Sequence, residues 1–228
     1  MLIADELLLL TVDETSGKSV ASGLNLDAAL GAALLVELAL AERLSIAPAE
    51  AGWVERGRIT VIDTGPTDDP DLDAVLASLT EKDGQKVKNL ISPMSWKPIS
   101  KGLRDRRLAR LVQRGVLTEQ HSAVLGLRSH PTVDPAPRHE VRGRLWSALV
   151  DGLTPTERTV ALIALVEATG ILPKVVAGPD RKLVKARAKL LSQGDWAAKA
   201  VKDAISEATA SLATVAAVSG GGGDGGGS

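Results

Sequence analysis

The longest apolar run of the chain lies between Asp27 and Glu42, where hydrophobic residues occur on every side of a helical projection. A helix that is apolar all round is buried, so this pattern predicts a core helix that continues to about Leu44 and is enclosed by other elements. Glu37 interrupts the run, whereas a membrane span needs about 20 predominantly apolar residues. The run is therefore interpreted as a core helix and not as a membrane span.

A second apolar run predicts another core helix, from Pro155 to Thr169. Its start reads Thr154-Pro155-Thr156-Glu157, which is typical of a capping box with proline at the first helical position. Further helices are predicted around this core, most of them with one apolar face. They comprise residues 71–79, 86–91, 104–114, 138–153, 181–191 and 195–218.

Short strands are predicted where apolar and polar residues alternate or where β-branched residues concentrate. Residues 6–22 are interpreted as two strands around a turn at Glu14–Lys18, Arg58–Asp63 as one strand, and Val116–Leu127 as a strand, a turn and a second strand. The predicted fold is mostly α: a single domain of residues 1–218 with a hydrophobic helical bundle core, surrounding amphipathic helices and short β-hairpins. Residues 219–228 are rich in glycine and are predicted to form a disordered tail.

Composition narrows the classes of function. The 228 residues carry a net charge of -1, so the surface as a whole does not attract polyanions.

The chain lacks cysteine, which excludes disulfides, thiolate metal sites and a cysteine nucleophile. Its first residues lack the basic region of a signal peptide, and their apolar run is too short to span a bilayer. The sequence predicts a cytoplasmic protein.

The chain contains no recognisable catalytic motif. His121, His130 and His139 lie in or beside a proline-rich loop without the spacing of metal-ligating histidines. The serines near the basic segment lack a nucleophile elbow and an adjacent acid or histidine. The sequence therefore predicts a protein that is not an enzyme and that uses no metal and no cofactor.

The most distinctive chemical feature is a basic run from Trp96 to Gly115, which contains seven basic residues and a single acid, Asp105. In a nearly neutral protein, such a cluster directs one face at an anionic partner. The basic residues are Lys97, Lys101, Arg104, Arg106, Arg107, Arg110 and Arg114.

A helical projection divides this run. Arg106, Arg110 and Arg114 project opposite the apolar residues, so they are predicted to face water and serve solubility. Lys101 and Arg104 lie on the same side as the apolar residues and are predicted to leave the helix at its N-terminal end, where an arginine beside free backbone N–H groups suits a phosphate. The alternative is a buried ion pair with an acid such as Asp105 or Glu37.

Residues Ser22–Leu44, SGLNLDAALGAALLVELALAERL, resemble the SGLRG…LIELALRGRL segment of the Golgi phosphoprotein 3 family. Other landmarks follow in the order of that family and cover nearly the whole chain up to the glycine tail. They are Pro66–Leu76, Ser95–Pro98, RRLARLVQRGVLT ending at Thr118, Ser129–Pro131, and TVALIALVEATGIL ending at Leu172. The resemblance implies one mostly helical domain, with amphipathic helices and a β-hairpin around a hydrophobic bundle.

The resemblance also implies a function. Eukaryotic members of the family are peripheral membrane proteins that read phosphatidylinositol 4-phosphate on Golgi membranes and retain glycosyltransferases there. Their Arg-x-x-Arg pair falls on Lys101 and Arg104, and a shift of one or two residues would move the site to Arg106 or Arg107. The resemblance thus identifies Lys101, Arg104 and Arg107 as candidate lipid-binding residues.

The chain departs from the family at the other half of that pocket. The family's tryptophan falls on Ser22, also a candidate lipid-binding position, and its first arginine falls on Gly31. Losing one charge-assisted contact costs about 1.5–3 kcal/mol, enough to weaken or redirect lipid specificity.

The family's membrane-facing hairpin corresponds to about His121–Thr132 in this chain. Its apolar residues, Val124, Leu125 and Leu127, are predicted to insert into a membrane or to mediate self-association. Half-buried strands are the alternative interpretation.

The leading hypothesis is a cytoplasmic peripheral membrane protein that binds anionic phospholipid head groups, with phosphatidylinositol 4-phosphate as one candidate, linked to protein sorting or membrane trafficking. Its partners would be an anionic phospholipid, a membrane surface and a second copy joined through the hairpin. The composition, rich in Ala, Leu, Val and Gly and without Phe or Tyr, suits a bacterial source, where another anionic phospholipid would take this place.

A winged-helix-like nucleic-acid-binding protein is the alternative. The segment RRLARLVQRGVLTEQHSAVLGLRSHP has the form of a helix, a glycine turn and a two-stranded wing, with arginines to contact phosphates. The net charge and the uncharged central helix argue against this alternative, because no recognition surface with base-reading side chains is visible.

Overall fold

The computed structural model describes residues 1–21, 23–82, 84–91, 101–121, 128–193 and 199–220. Within them the chain is mostly helical, with two small antiparallel strand pairs. The elements are, in chain order, α1 (Ile3–Thr11), α2 (Gly23–Leu40), β1 (Leu44–Ile46), α3 (Gly52–Glu55), β2 (Ile59–Val61), α4 (Pro70–Glu81), α5 (Val87–Ile91), α6 (Leu103–Gln113), β3 (Gln120–His121), β4 (Arg128–Ser129), α7 (Ala136–Leu149), α8 (Glu157–Ala168), α9 (Leu172–Val175), α10 (Arg181–Gln193) and α11 (Lys199–Gly220).

Helix α2 is the centre of the fold, as its apolar pattern predicts. It contacts α1, α4, α5, α6, α8 and α11, and α11 is its most extensive neighbour. Small residues, such as Ala29 and Ala33 on α2 and Ala204 and Ala208 on α11, are buried in the core and permit close approach of the helices. Helix α8, the second predicted core helix, is buried along most of its length and also packs on α2.

Helix α1 corrects the prediction of two strands in residues 6–22. All of its residues, Ile3 to Thr11, are buried, and the helix packs on α2, α6, α7 and α8. A short continuous apolar run fits a buried helix as well as a buried strand, and in this case the enclosing helices decide for the helix. The predicted turn is present: Asp13 N–H donates to the Lys18 carbonyl at 2.9 Å.

Two helix ends differ from their predicted positions. Helix α2 ends at Leu40, not near Leu44, because Glu42 adopts a left-handed conformation and the Arg43 N–H bonds the Leu38 carbonyl in a Schellman arrangement. Helix α8 begins at Glu157, and its N-cap is Thr156, whose hydroxyl accepts from the Thr159 N–H. The capping pair is thus shifted by two residues from the predicted Thr154–Glu157 box.

The strand pairs are shorter than the predicted strands. β1 pairs with β2 in the predicted Arg58–Asp63 region, with Ser45 opposite Thr60. β3 and β4 form a second hairpin, with Gln120 opposite Ser129, so the returning strand follows the predicted Val116–Leu127 segment instead of ending it. The hairpin tip, residues 122–127, lies outside the described residues.

The base of the second hairpin is attached to the turn after α1. Gly17 has a left-handed φ of 64°, and a Cβ there would come within 2.5 Å of the backbone of His130 and Pro131. The His130 N–H donates to the Gly17 carbonyl at 2.9 Å. This turn therefore requires glycine, both for its backbone angle and for the close approach of the two segments.

Candidate functional site

The basic run folds as α6, which begins after Gly102. Gly102 has a left-handed φ of 72°, which suits glycine, and the Arg106 N–H closes the first turn on its carbonyl at 2.9 Å. The buried face of α6 consists of Leu103, Arg107, Leu108 and Leu111. An arginine therefore lies among the leucines that dock this helix on the core.

Arg107 is fully buried, and its guanidinium is bound by carboxylates from two other helices. Its Nε and Nη2 donate to the two carboxylate oxygens of Asp5 at 2.8 and 2.7 Å, which is a bidentate pair. Its Nη1 donates to Asp69 at 2.6 Å and to Asp71 at 3.3 Å. Because Asp5 lies on α1 and Asp71 on α4, this buried ion-pair cluster joins α1, α4 and α6.

Asp69 has a second task in the buried ion-pair cluster, as the N-cap of α4. One carboxylate oxygen accepts the Asp71 N–H at 2.9 Å, and the other accepts Arg107 and Arg110. Burial alone would raise the pKa of Asp69, but the hydrogen bond and positive charge of Arg107 outweigh it and lower the pKa below its ordinary value. Burial likewise works against the charged form of Arg107, yet Asp5 and Asp69 keep its pKa raised.

Arg106, Arg110 and Arg114, which were predicted to face water and serve solubility, are partly exposed and contact the acids of the buried ion-pair cluster. Arg106 Nε donates to Asp71 at 2.7 Å, Arg110 bonds Asp69, and Arg114 lies 3.8 Å from an oxygen of Asp5. The prediction that they serve only solubility is therefore wrong. The projection was right about their exposed side but could not show the carboxylates that α1 and α4 bring to it.

Lys101 and Arg104 lie at the opposite, N-terminal end of α6. Lys101 is exposed, and its carbonyl accepts from Arg106 Nη1 at 2.8 Å. Arg104 Nε and Nη2 donate to one oxygen of Asp27 at 3.0 and 2.6 Å, and both side chains of this pair are partly open to solvent. Arg104 thus makes a partly exposed ion pair with Asp27, whereas the alternative was a buried pair with an acid such as Asp105 or Glu37. Glu37 instead accepts Arg158 Nη1 at 2.5 Å.

A third basic side chain, which sequence analysis did not select, reaches the same place. Lys174 on α9 is exposed, and its Nζ donates to the carbonyl of Val20 at 3.0 Å, just before α2 begins. Arg104 contacts α2 one turn inside its start, at Asp27. The start of α2 is therefore flanked by basic groups from α6 and α9, and we call Lys101, Arg104 and Lys174 the basic rim.

The remaining predicted site residues do not all join the basic rim. Ser22 and the hairpin residues Val124, Leu125 and Leu127 lie outside the described residues, so their predicted roles stay predictions. Gly31, where the family has an arginine, is buried on α2, one turn after Asp27. The lipid-binding role of Arg107 also stays a prediction, and its guanidinium lies in the buried ion-pair cluster, apart from the basic rim.

The family model for Golgi phosphoprotein 3 (GPP34) matches residues 3–208. The chain belongs to the Golgi phosphoprotein 3 family. The match runs from the first residue of α1 into α11, so it includes the buried ion-pair cluster and the basic rim of this family member. No curated protein sequence matches the chain significantly.

Two kinds of feature are absent from the described residues of this family member. No helix there is long and apolar enough to cross a membrane. In the same residues, no group of three or more His, Asp or Glu side chains is arranged to hold a metal ion. The basic rim consists of cations, so a ligand that it binds would be an anion.

Proposed function

We propose that the protein is a non-enzymatic, peripheral membrane protein that binds the anionic head groups of phospholipids at the basic rim. The observation that carries this proposal is the convergence of Arg104 and Lys174, from separate helices, on the start of α2, beside exposed Lys101. Backbone N–H groups of a helix start and nearby cations together favour phosphate. Family membership supports the same class of ligand.

Arg104 is the central ligand of the proposed site. Asp27 holds its guanidinium through two hydrogen bonds, so the side chain is oriented before any lipid arrives. The Arg104 and Asp27 side chains are 29% and 40% exposed, which leaves the pair accessible to a phosphate from solvent. Since the Asp27 carboxylate repels an anion, we expect modest affinity for a single head group and a strong dependence on ionic strength.

The proposal also concerns which head group the protein binds. Phosphatidylinositol 4-phosphate is one candidate, and phosphatidylglycerol or cardiolipin are the others. Because Ser22 and Gly31 replace the family's tryptophan and arginine, we propose that the protein responds to negative charge more than to the inositol ring. A role in protein sorting or membrane trafficking would follow from binding to the cytoplasmic face of a membrane.

Nucleic-acid binding is less well supported, because the arginines of α6 already have protein partners. Arg106, Arg107 and Arg110 bond Asp71, Asp5 and Asp69, so a phosphate backbone would have to displace carboxylates from a partly buried cluster. The helix that would serve as a recognition helix is thus occupied by structural contacts.

Liposome co-sedimentation tests the proposal, using neutral vesicles and vesicles with phosphatidylglycerol, cardiolipin or phosphatidylinositol 4-phosphate at low salt. We expect wild type to bind anionic vesicles only, and Lys101→Ala/Arg104→Ala to bind at least tenfold more weakly. Lys82→Ala/Lys88→Ala removes the same charge from exposed positions elsewhere and is the matched control. Equal binding of the two double variants would contradict the proposed site.

A further inference from the structure

Helix α10 has a charge pattern unlike the rest of the molecule. Five of the 27 Lys and Arg residues of the chain fall in its 13 positions, and none of the 28 Asp and Glu residues does. The basic residues are Arg181, Lys182, Lys185, Arg187 and Lys189. This helix therefore concentrates positive charge in a protein whose net charge is negative.

The same helix exposes two large apolar side chains. Val184 and Ala188 are buried and attach α10 to the core, whereas Leu183 and Leu190 are 70% and 69% exposed. Leu183 and Leu190 are seven residues apart, so they lie on one side of the helix, with exposed Ala186 between them. Leucines surrounded by lysines on the outside of a helix are typical of segments that lie in the interface of a bilayer.

Arg187 connects this side of α10 to the end of α7. Its Nε donates to the carbonyl of Ala148 at 2.8 Å, and its Nη2 lies 3.6 Å from the position of a Cβ on Gly152. Two further exposed hydrophobic residues flank these contacts, Val150 at 37% and Leu153 at 60% exposure. Exposed hydrophobic residues thus also occur on the segment after α7, beside its contact with α10.

Helix α10 also adjoins α9, which carries a residue of the basic rim. A cleft of about 170 Å³ separates α8, α9 and α10, with Leu172, Pro173 and Val184 among its apolar lining and Arg181 at its edge. Lys174, the next residue after Pro173, reaches the start of α2. Helix α9 therefore contacts the segment before α2 through Lys174 and shares this cleft with α10.

We propose that α10, with its exposed Leu183 and Leu190, is a second membrane-contacting surface that lies on an anionic bilayer. The leucines would enter the interface between head groups and acyl chains, while the lysines and arginines would pair with lipid phosphates. This inference rests on the proposed function and adds a surface that binds the bilayer itself, not one head group.

Charge and exposure favour a bilayer over the other occupants of such a face. A second copy would bring five more positive charges against the first five, which opposes association through this helix. Nucleic acid would use the cations but not the two leucines. Glu167 and Asp180 contact α10 at its α8 side and at its N-terminal end, where Glu167 contacts Lys185 and Asp180 accepts the Lys182 N–H. Neither acid lies on the side of the leucines.

The absence of cysteine permits a site-specific test. Ala186→Cys and Ala77→Cys each introduce a single thiol at an exposed helical position, on α10 and on α4, for an environment-sensitive fluorophore. With phosphatidylglycerol vesicles, we expect the label at residue 186 to shift to shorter wavelength and to be quenched by spin-labelled lipid. The label at residue 77 should keep its aqueous spectrum.

Substitution of the leucines gives an independent readout. Leu183→Ser/Leu190→Ser is expected to lower vesicle partitioning about tenfold, since interfacial binding scales with buried apolar area. Ile62→Ser/Val133→Ser removes two comparably exposed hydrophobic side chains elsewhere and should bind like wild type. Circular dichroism of each variant checks that the helices are retained.

The outcomes separate this inference from the proposed function. Vesicle binding with an aqueous label at residue 186, and with no effect of the leucine substitutions, would overturn the role of α10 while leaving the basic rim intact. A label that responds to nucleic acid but not to vesicles would overturn it as well. If wild type ignores vesicles with phosphatidylglycerol, cardiolipin or phosphatidylinositol 4-phosphate at low salt, both proposals fail.

Discussion

Two neighbouring sites in the basic run, which we call the Arg107 end and the Arg104 end, use the same kind of side chain in opposite ways. At Arg107, the guanidinium is fully buried and bonded to Asp5, Asp69 and Asp71, so its charge is used inside the protein. Three residues earlier, Arg104 bonds the carboxylate of Asp27 and remains partly open to solvent. The lesson is that a basic cluster in a sequence cannot be assigned as a whole to ligand binding or to stability.

The difference arises from the elements that face each end. Around Arg107, the start of α4 and the first turn of α1 both present carboxylates, and the pair with Asp5 is bidentate. Around Arg104, the neighbour is the start of α2, where backbone N–H groups and Lys174 add positive potential to that of Arg104. Carboxylates therefore neutralise the charge at the Arg107 end, whereas several positive groups lie together at the Arg104 end.

The largest effect is expected for Arg107→Ala. Removing one partner of a buried ion pair leaves uncompensated charge, here on Asp5 and Asp69, and typically costs about 3–5 kcal/mol. Urea denaturation followed by circular dichroism measures the loss. Arg114→Ala removes the same charge from the exposed C-cap position of the same helix and is expected to cost less than about 1 kcal/mol. Comparable stabilities of these two variants would contradict the structural role of Arg107.

Lys101→Ala/Arg104→Ala is expected to show the converse behaviour. The free energy of unfolding should fall by less than about 1 kcal/mol, because both side chains are partly or fully exposed. Affinity for anionic vesicles should fall at least tenfold, the same change expected in the sedimentation test. A variant that unfolds easily but binds lipid normally would show that the comparison of the two ends is wrong.

Acid should weaken the Arg107 end as Asp69 becomes protonated. The pKa of Asp69 is lowered in the folded protein, chiefly because the bonds to Arg107 outweigh the effect of burial. Its contribution to stability is therefore fully present above the unfolded pKa of about 3.9 and is lost as pH falls through the folded value. We expect the free energy of unfolding to decline below about pH 4 in wild type, and to decline less steeply in Asp69→Asn. Parallel pH profiles would contradict the assignment.

The smallest effect is expected for Asp27→Asn, which keeps the shape of the partner but removes the negative charge beside Arg104. Affinity for anionic vesicles should rise a few-fold, since a phosphate would no longer approach a carboxylate. Weaker binding would mean that Asp27 is needed to orient Arg104 more than it repels the lipid. Lipid titration at two salt concentrations measures both contributions.

Local signals in the sequence predicted much of the fold. The all-round apolar pattern identified α2 and α8 as core helices, and the segment at Pro70-Asp71 identified α4, whose N-cap is Asp69. The error at α1 has a physical cause, because a short run of buried leucines carries neither a helical nor a strand period. Family membership, which the order of the landmarks predicted, is confirmed by the match over residues 3–208.

The charged contacts were harder to predict, because they join distant parts of the chain. Asp5 and Arg107 are 102 residues apart, and Val20 and Lys174 are 154 apart. One signal was available for the first pair: Arg107 shares a helical face with Leu103 and Leu111, at spacings of four residues, so it belongs to the buried side. No comparable signal marked Lys174, which lies in a separate short helix.

The most direct test of the proposed head-group site is a nuclear magnetic resonance titration of the uniformly ¹⁵N-labelled protein with soluble, short-chain phosphatidylglycerol and phosphatidylinositol 4-phosphate. The account predicts saturable shifts of the backbone amides of Lys101, Arg104 and Lys174 and of the first turn of α2. Amides around Arg107 and Asp69 should move little. Saturable shifts confined to another surface, or no shifts with either lipid, would contradict the assignment of the site.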